Sequence, residues 1–197
     1  MTAFLAQPSH LAITAAVLAH GAILVNQRAV RFTDESQATP SLALAVRGQP
    51  GRVSYLLFDE RIANAVAAHD PFFARVVLPR TSRRASSIGM LAKQLELPEA
   101  ALRETLDGYT PGLTEPYYGV RVTGARRATR GGLAVDAGAR VLDGSGNAIA
   151  GLFAVGGAAA SLSGPGIDRE LEGIDALSTL GLARLAALGM ATVSDEG

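Results

Sequence analysis

The chain has 197 residues, of which 48% are hydrophobic and only 18% charged, with 18 basic residues balanced by 18 acidic ones. This is the composition of a globular protein with a real core, and it leaves no basic footprint for a nucleic-acid partner. Cysteine is absent, which excludes disulfides, thiolate metal sites, iron–sulfur ligation and a cysteine nucleophile, so any redox chemistry must come from a bound cofactor.

In chain order, residues 1–20 read as an apolar lead-in, helical from Ser9. The run from His10 to Val25 is interrupted by His20 and Gly21 and falls short of the roughly 20 apolar residues of a membrane span. It also lacks the basic start and cleavage pattern of a secretory signal. A cytoplasmic protein without membrane insertion is therefore expected. Ala22 to Val25 and Val30 to Thr33 are two β-prone runs around an Asn26 turn and suggest a hairpin. A short helix over Ser36 to Val46 precedes a Gly/Pro break, after which Val53 to Phe58 is a buried strand.

Helical patterns follow at Glu60 to Ala68, Ser86 to Glu96 and Pro98 to Asp107, the last with proline and an acid at its positive end. Ser82 to Arg84 reads as a solvated loop between them. After the punctuated link Thr110 to Gly112, short β-prone runs (Tyr117 to Val122, Leu133 to Val135, Leu152 to Val155) alternate with glycine-rich turns, and the chain closes with a helix from Asp175 to Leu188. No internal repeat is present.

The chemistry-bearing segment is Ala148 to Gly157, a buried strand ending on paired glycines, followed by a small-residue run through Gly166 and the final helix. Glycines at a strand end let backbone approach a ligand where a side chain would stand. The start of a helix offers N–H groups and partial positive charge to an electron-rich ring edge or a phosphate. The same pattern also suits a tight turn and a packing helix. His10, His20 and His69 lie elsewhere, so no acid–base histidine and no metal site is expected.

Four strings carry a resemblance: Tyr117 to Val122, Thr129 to Asp136, then Ala139 to Asp143 and Gly151 to Ala160, in that order and spacing. They resemble the last segment of the FAD-binding fold shared by fumarate reductases and 3-ketosteroid dehydrogenases. Gly21 to Asn26, Arg31 to Glu35, Tyr55 to Asp59, Leu91 to Leu95 and Leu102 to Leu106 are similar to the capping domain of the same flavoproteins. The resemblance implies an α/β fold: a C-terminal segment of a Rossmann-like FAD-binding domain, with a small α+β capping domain that closes over substrate and excludes water. It places the cap at residues 21–112 and the FAD-binding segment at residues 113–197.

FAD is the cofactor that the resemblance implies, with a small-molecule substrate whose C–C bond lies next to a carbonyl, in an organic acid or a steroid-like ketone. Arg61 and Glu35 are the nearest equivalents of the family's proton-transferring pair, although a surface arginine and a first-turn helix acid are the plain alternatives. Thr129 matches a substrate-contacting threonine. Arg130 is positioned to grip a carboxylate bidentately, or else is a loop arginine beside Arg126 and Arg127. Gly131, Gly132, Gly156, Gly157, Ser163, Gly164 and Gly173 fall at positions that line the flavin.

The chain departs from the pattern in four places. Ala128 stands where dicarboxylate-reducing members carry histidine, which argues against fumarate itself. Gly157 replaces a side chain that fixes the ribityl hydroxyls. Arg169 to Asp175 replaces a small-residue run, and its carboxylates would repel a reduced flavin. Ala29 replaces the glycine of a turn. The chain also carries no Gly-x-Gly-x-x-Gly motif, the element that holds pyrophosphate. A companion chain supplying that half, or a non-catalytic relative without flavin, are the two readings this leaves.

Overall fold

The computed structural model describes residues 2–37, 39–126, 131–160 and 173–194. The chain forms two compact units, Thr2–Arg127 and the segment from Ala128 onward. Neither expected boundary, at residue 20 or residue 112, coincides with this division.

The larger unit is built on one antiparallel sheet. Its strands are β1 (Thr2–Ala6), β2 (Ala12–Ile13), β3 (Ile23–Val25), β4 (Ser54–Asp59), β5 (Arg83–Ala85) and β6 (Tyr117–Arg126), ordered β2-β1-β6-β4-β3 with β5 also on β6. The ten-residue β6 organises it. One of its edges pairs with β4 through residues 117–122, while the other is shared by β5 (through 117–119) and β1 (through 122–126).

The helices are α1 (Ala16–Ala19), α2 (Thr39–Arg47), α3 (Glu60–Ala67), α4 (Leu78–Thr81), α5 (Ile88–Leu95) and α6 (Glu99–Asp107), with a π-type turn at Phe73–Val77 before α4. They cover both faces of the sheet. Every residue of β4 is buried, and strand alternation sends Leu56 and Phe58 into a core with Phe4, Val17, Leu42, Ile62 and Val120. Tyr55 and Leu57 point the other way, into a second core with Leu91, Leu95, Leu102 and Leu106 of α5 and α6. α2 lies so close to β6 that a Cβ on Gly124 would stand 2.0 Å from the Ala43 carbonyl oxygen, which only glycine permits.

Three expectations are corrected in this unit. The lead-in is not a helix from Ser9: its first residues form β1, whose Phe4 and Ala6 are fully buried against β6. Alanine-rich composition yields here to the free edge of a long strand. The expected hairpin around Asn26 reduces to a single bridge between Val25 and Arg31, because β3 pairs instead with β4. Arg83 and Arg84, expected in a solvated loop, belong to strand β5.

The smaller unit holds the hairpin β7 (Arg140–Leu142) and β8 (Ala148–Phe153), a 3-10 turn at Gly156–Ala158, and the long helix α7 (Ile174–Ser194). Its described core is small: Val141, Ala154 and Ala159, with Val135 and Leu182 packed against it. β8, expected as a buried strand, is exposed along almost its whole length. On α7, Leu177 and Leu180 are 67% and 72% exposed, and apolar residues occupy all its sides rather than one stripe. By length and composition the helix stretch Ile174–Ala191 is apolar enough to cross a membrane, with mean hydropathy 1.3 and 6% of it buried.

Candidate functional site

The expected site residues divide between the two units. In the larger one, Asp59 ends β4 and caps α3. Its carboxylate is fully buried and accepts the backbone N–H of Ile62 at 2.9 Å, the backbone N–H of Thr114 at 3.2 Å and the Thr114 hydroxyl at 3.3 Å. This is an N-cap that also latches the loop leading into β6. Arg61, in the first turn of α3, reaches the same carboxylate at 3.5 Å and is 59% exposed. The Arg61 guanidinium is therefore held at its tip by a long contact to Asp59, while most of the side chain stays in solvent.

Glu35 sits differently. Its side chain is almost buried: Oε1 accepts the backbone N–H of Leu24 at 2.8 Å, and both oxygens accept from Arg31. The Glu35 carboxylate, through its hydrogen bonds, holds the Arg31 guanidinium above its ordinary pKa, and Arg31 also lies over the Tyr109 ring at 5.1 Å. Among the described residues no hydrogen bond or ion pair joins Glu35 to Arg61. Beside them, Ala29 adopts φ 60° while fully buried, a left-handed conformation that costs a non-glycine residue about 1 kcal/mol. Alanine at this turn is therefore strained, and the turn is held by Asn26, whose Oδ1 accepts the N–H groups of Arg28 and Val30.

A second polar group was not foreseen from sequence. Arg84 donates to Glu60 at 3.1 Å and to the Tyr118 hydroxyl at 3.1 Å, and Tyr118 stacks on Phe58 with centroids 5.4 Å apart. The Glu60 carboxylate, followed by the Tyr118 hydroxyl, raises the Arg84 pKa. The signal was obscured because Arg84 meets Glu60 only through the pairing of β5 with β6.

In the smaller unit, Leu133 and Ala159 form a parallel bridge: Leu133 N–H donates to the Ala158 carbonyl at 2.8 Å, and Ala160 N–H donates to the Leu133 carbonyl at 3.0 Å. This brings Gly132 against the backbone that follows Gly156 and Gly157. A Cβ on Gly132 would stand 2.5 Å from the Ala159 carbonyl, so this glycine serves the close approach of two backbones. Gly131 and Gly157 differ, since a Cβ on either would meet nothing within 4 Å among the described residues. Gly156, at φ +57°, faces the Thr179 side chain of α7, and Gly173, at φ +81°, precedes that helix. The ledge therefore has room for a ligand at Gly131 and Gly157, where bare backbone lies open. Thr129, Arg130, Ser163 and Gly164 lie outside the described residues.

The family described as FAD binding domain matches residues 2–168. Among curated proteins, a fumarate reductase (cytochrome) from Shewanella frigidimarina is 29% identical over 162 residues, an alignment taking in 73% of this chain and 28% of that protein. The chain thus spans little more than a quarter of that relative. Among solved structures, the open conformation of a flavocytochrome c3 fumarate reductase superposes with TM-score 0.73 at 25% identity, over 94% of this chain and 35% of that one. A 3-ketosteroid-Δ4-(5α)-dehydrogenase from Rhodococcus jostii shares the fold with TM-score 0.55 at 22% identity, over 94% of this chain and 40% of that one.

Proposed function

The chain belongs to the FAD binding domain family, whose cofactor is FAD, and from that premise we propose that it is the substrate-side portion of an FAD-dependent oxidoreductase. The proposed reaction reduces or desaturates a C–C bond next to a carbonyl, in an organic acid or a steroid-like ketone. The observation that carries the reading is the open backbone at Gly131 and Gly157, inside a stretch matched as FAD binding domain.

FAD, when bound, supplies the hydride-carrying ring. The backbone of Gly131, Gly132, Gly156 and Gly157 would lie against it, with Ser163, Gly164 and Gly173 completing the ledge. Arg130 and Thr129 are proposed to hold the substrate's carbonyl or carboxylate oxygens. Arg61, aimed by Asp59, is proposed to hold or move the proton on the substrate, with Glu35 as its reserve. Residues 21–112 act in this reading as the core of a lid that excludes water, and residues 113–197 as the FAD-binding segment.

The exposed apolar surface of α7 and β8 supports a further element of the reading. Leu177, Leu180, Ile149 and Leu152 stand in water here, and a helix apolar on all sides is ordinarily buried. We take α7 as a packing helix for the companion half that carries the pyrophosphate-binding glycines, and the setting as cytoplasmic. A specific observation favours the second reading, a non-catalytic relative: the Glu35 carboxylate is committed to Leu24 and Arg31 and makes no link to Arg61 among the described residues.

Flavin fluorescence decides between them. The full chain, titrated with FAD alone and then with the companion half of a related enzyme, should quench the flavin saturably in the second case and more weakly in the first. A chain that takes up no FAD under either condition overturns the oxidoreductase reading and leaves the non-catalytic one.

A further inference from the structure

The larger unit carries a cleft that the reading above does not use. It has a volume of about 220 Å³ and is lined by Tyr55, Arg80, Arg83, Gly119 and Arg121, among others. At roughly 30 Å³ per molecule of liquid water, that is room for about seven waters, the scale of a small ligand.

The register of the sheet explains why these groups converge. Tyr55 pairs with Arg121, and Arg83 pairs with Gly119. Residues directly opposite share a face, and so do residues two apart on one strand. Tyr55, Arg83, Gly119 and Arg121 therefore all project to one side, and over Gly119 the cleft floor is the Leu95 side chain of α5, 2.5 Å from where a Cβ would stand. Arg80 arrives from α4 at the cleft's rim.

None of the three guanidinium groups has a carboxylate partner or a side-chain hydrogen bond among the described residues, whereas Arg31, Arg61, Arg84, Arg103 and Arg140 are all ion-paired. Glu96 is the only carboxylate on the wall. Three cations face one anion. The cleft also contains a tyrosine whose ring is buried while its hydroxyl reaches the cleft: Tyr55 is 8% exposed as a whole, and its hydroxyl, which has no hydrogen-bond partner among the described residues, remains accessible to solvent. A phenol so placed is a donor waiting for an acceptor.

From these observations we propose that this cleft is a binding site for a small oxyanion carrying two negative charges, held by the forks of Arg83 and Arg121, closed by Arg80 and accepting from the Tyr55 hydroxyl. Guanidinium groups match carboxylate and phosphate oxygens in a bidentate way. A dicarboxylate and a phosphate share this chemistry. The cleft lies apart from Arg61: Tyr55 precedes Asp59 by four residues on β4, roughly 13 Å along the strand. The proposal stands whether or not the chain binds flavin.

The test is calorimetric titration of the full chain with inorganic phosphate and, separately, with malonate, each at constant ionic strength set by sodium chloride. Constant ionic strength removes the general screening to which exposed charges respond. Saturable heat with one equivalent of anion is expected, weakened roughly tenfold or more in Arg121→Gln and in Arg83→Gln, and weakened less in Tyr55→Phe. Arg28→Gln, an exposed arginine outside the cleft, should bind as the parent does. Tighter binding of phosphate than malonate assigns a phosphate-bearing ligand, and the reverse assigns a dicarboxylate. Heats that do not saturate, or that are the same in the Arg83→Gln and Arg121→Gln variants with unchanged melting curves, overturn the proposal.

Discussion

The buried carboxylate of Asp59 accepts the backbone N–H of Thr114 at 3.2 Å, so a residue that caps one helix also pins a loop 55 positions further along the chain. Replacing it with alanine removes a cap and leaves four donors without that acceptor, of which the exposed Arg61 turns to water. Asp59→Ala should lower unfolding stability by about 3 kcal/mol, and Asp59→Asn by about half as much because one oxygen still accepts. Urea denaturation measures both. A loss under about 1 kcal/mol for alanine would mean that water replaces the latch.

Glu35 separates two contributions. Glu35→Gln keeps an oxygen for the Leu24 N–H but gives up the charge facing Arg31, itself 40% exposed, and should cost about 1 kcal/mol or less. Glu35→Ala also strands the N–H of fully buried Leu24, for about 2 kcal/mol in all. Hydrogen exchange at the Leu24 amide should accelerate in the alanine variant and hold in the glutamine one. Equal exchange in both would remove the Leu24 bond from the account.

The glycine ledge predicts opposite outcomes for neighbours in sequence motif. Gly132→Ala drives a Cβ into the Ala159 backbone and should expose the Leu133 and Ala160 amides to exchange. Gly157→Ala points into open space, so stability should hold while FAD uptake weakens about tenfold, as crowding of a filled site does. Unaltered FAD uptake in Gly157→Ala would detach the ledge from the flavin.

Acid should loosen the smaller unit at a defined point. Asp136 is held below its ordinary pKa by the Arg140 side chain and backbone N–H, and Asp143 by the N–H groups of Asn147 and Ser145. Each is lowered in the folded chain, so the stabilisation is fully present above the unfolded value of about 3.9 and disappears as pH falls through the folded values. The Ser145 and Asn147 amide resonances should move in that acid range and stay fixed above it. Asp143→Asn should abolish the movement at both amides; its persistence would point to another titrating group.

The exposed apolar surface of α7 should be detectable directly. Anilinonaphthalene sulfonate should fluoresce with the parent chain, and the double substitution Leu177→Gln with Leu180→Gln should remove a large part of that signal, about half, without loss of helix content. Undiminished fluorescence would place the dye's surface elsewhere.

How much of this was legible in residue order depends on the range of the interaction. α3, α5 and α6 were, because an apolar stripe at helical spacing and a capping Asp59 or Ser87 act within a few positions. β1 and β5 were not, since a short edge strand takes its identity from the partner it meets, and β6 lies more than a hundred residues beyond Thr2.

The cofactor class was legible only as what a family resemblance implies, carried by the short strings between Tyr117 and Ala160, because local motifs are one-dimensional properties. Only the tertiary structure decided which glycine is packed and which is open, that β8 is bare, that Glu35 is taken by Arg31, and that Arg83 and Arg121 line one cleft with Tyr55. Burial and charge pairing are relations between residues distant in the chain, and a distance in space has no value until the chain has folded.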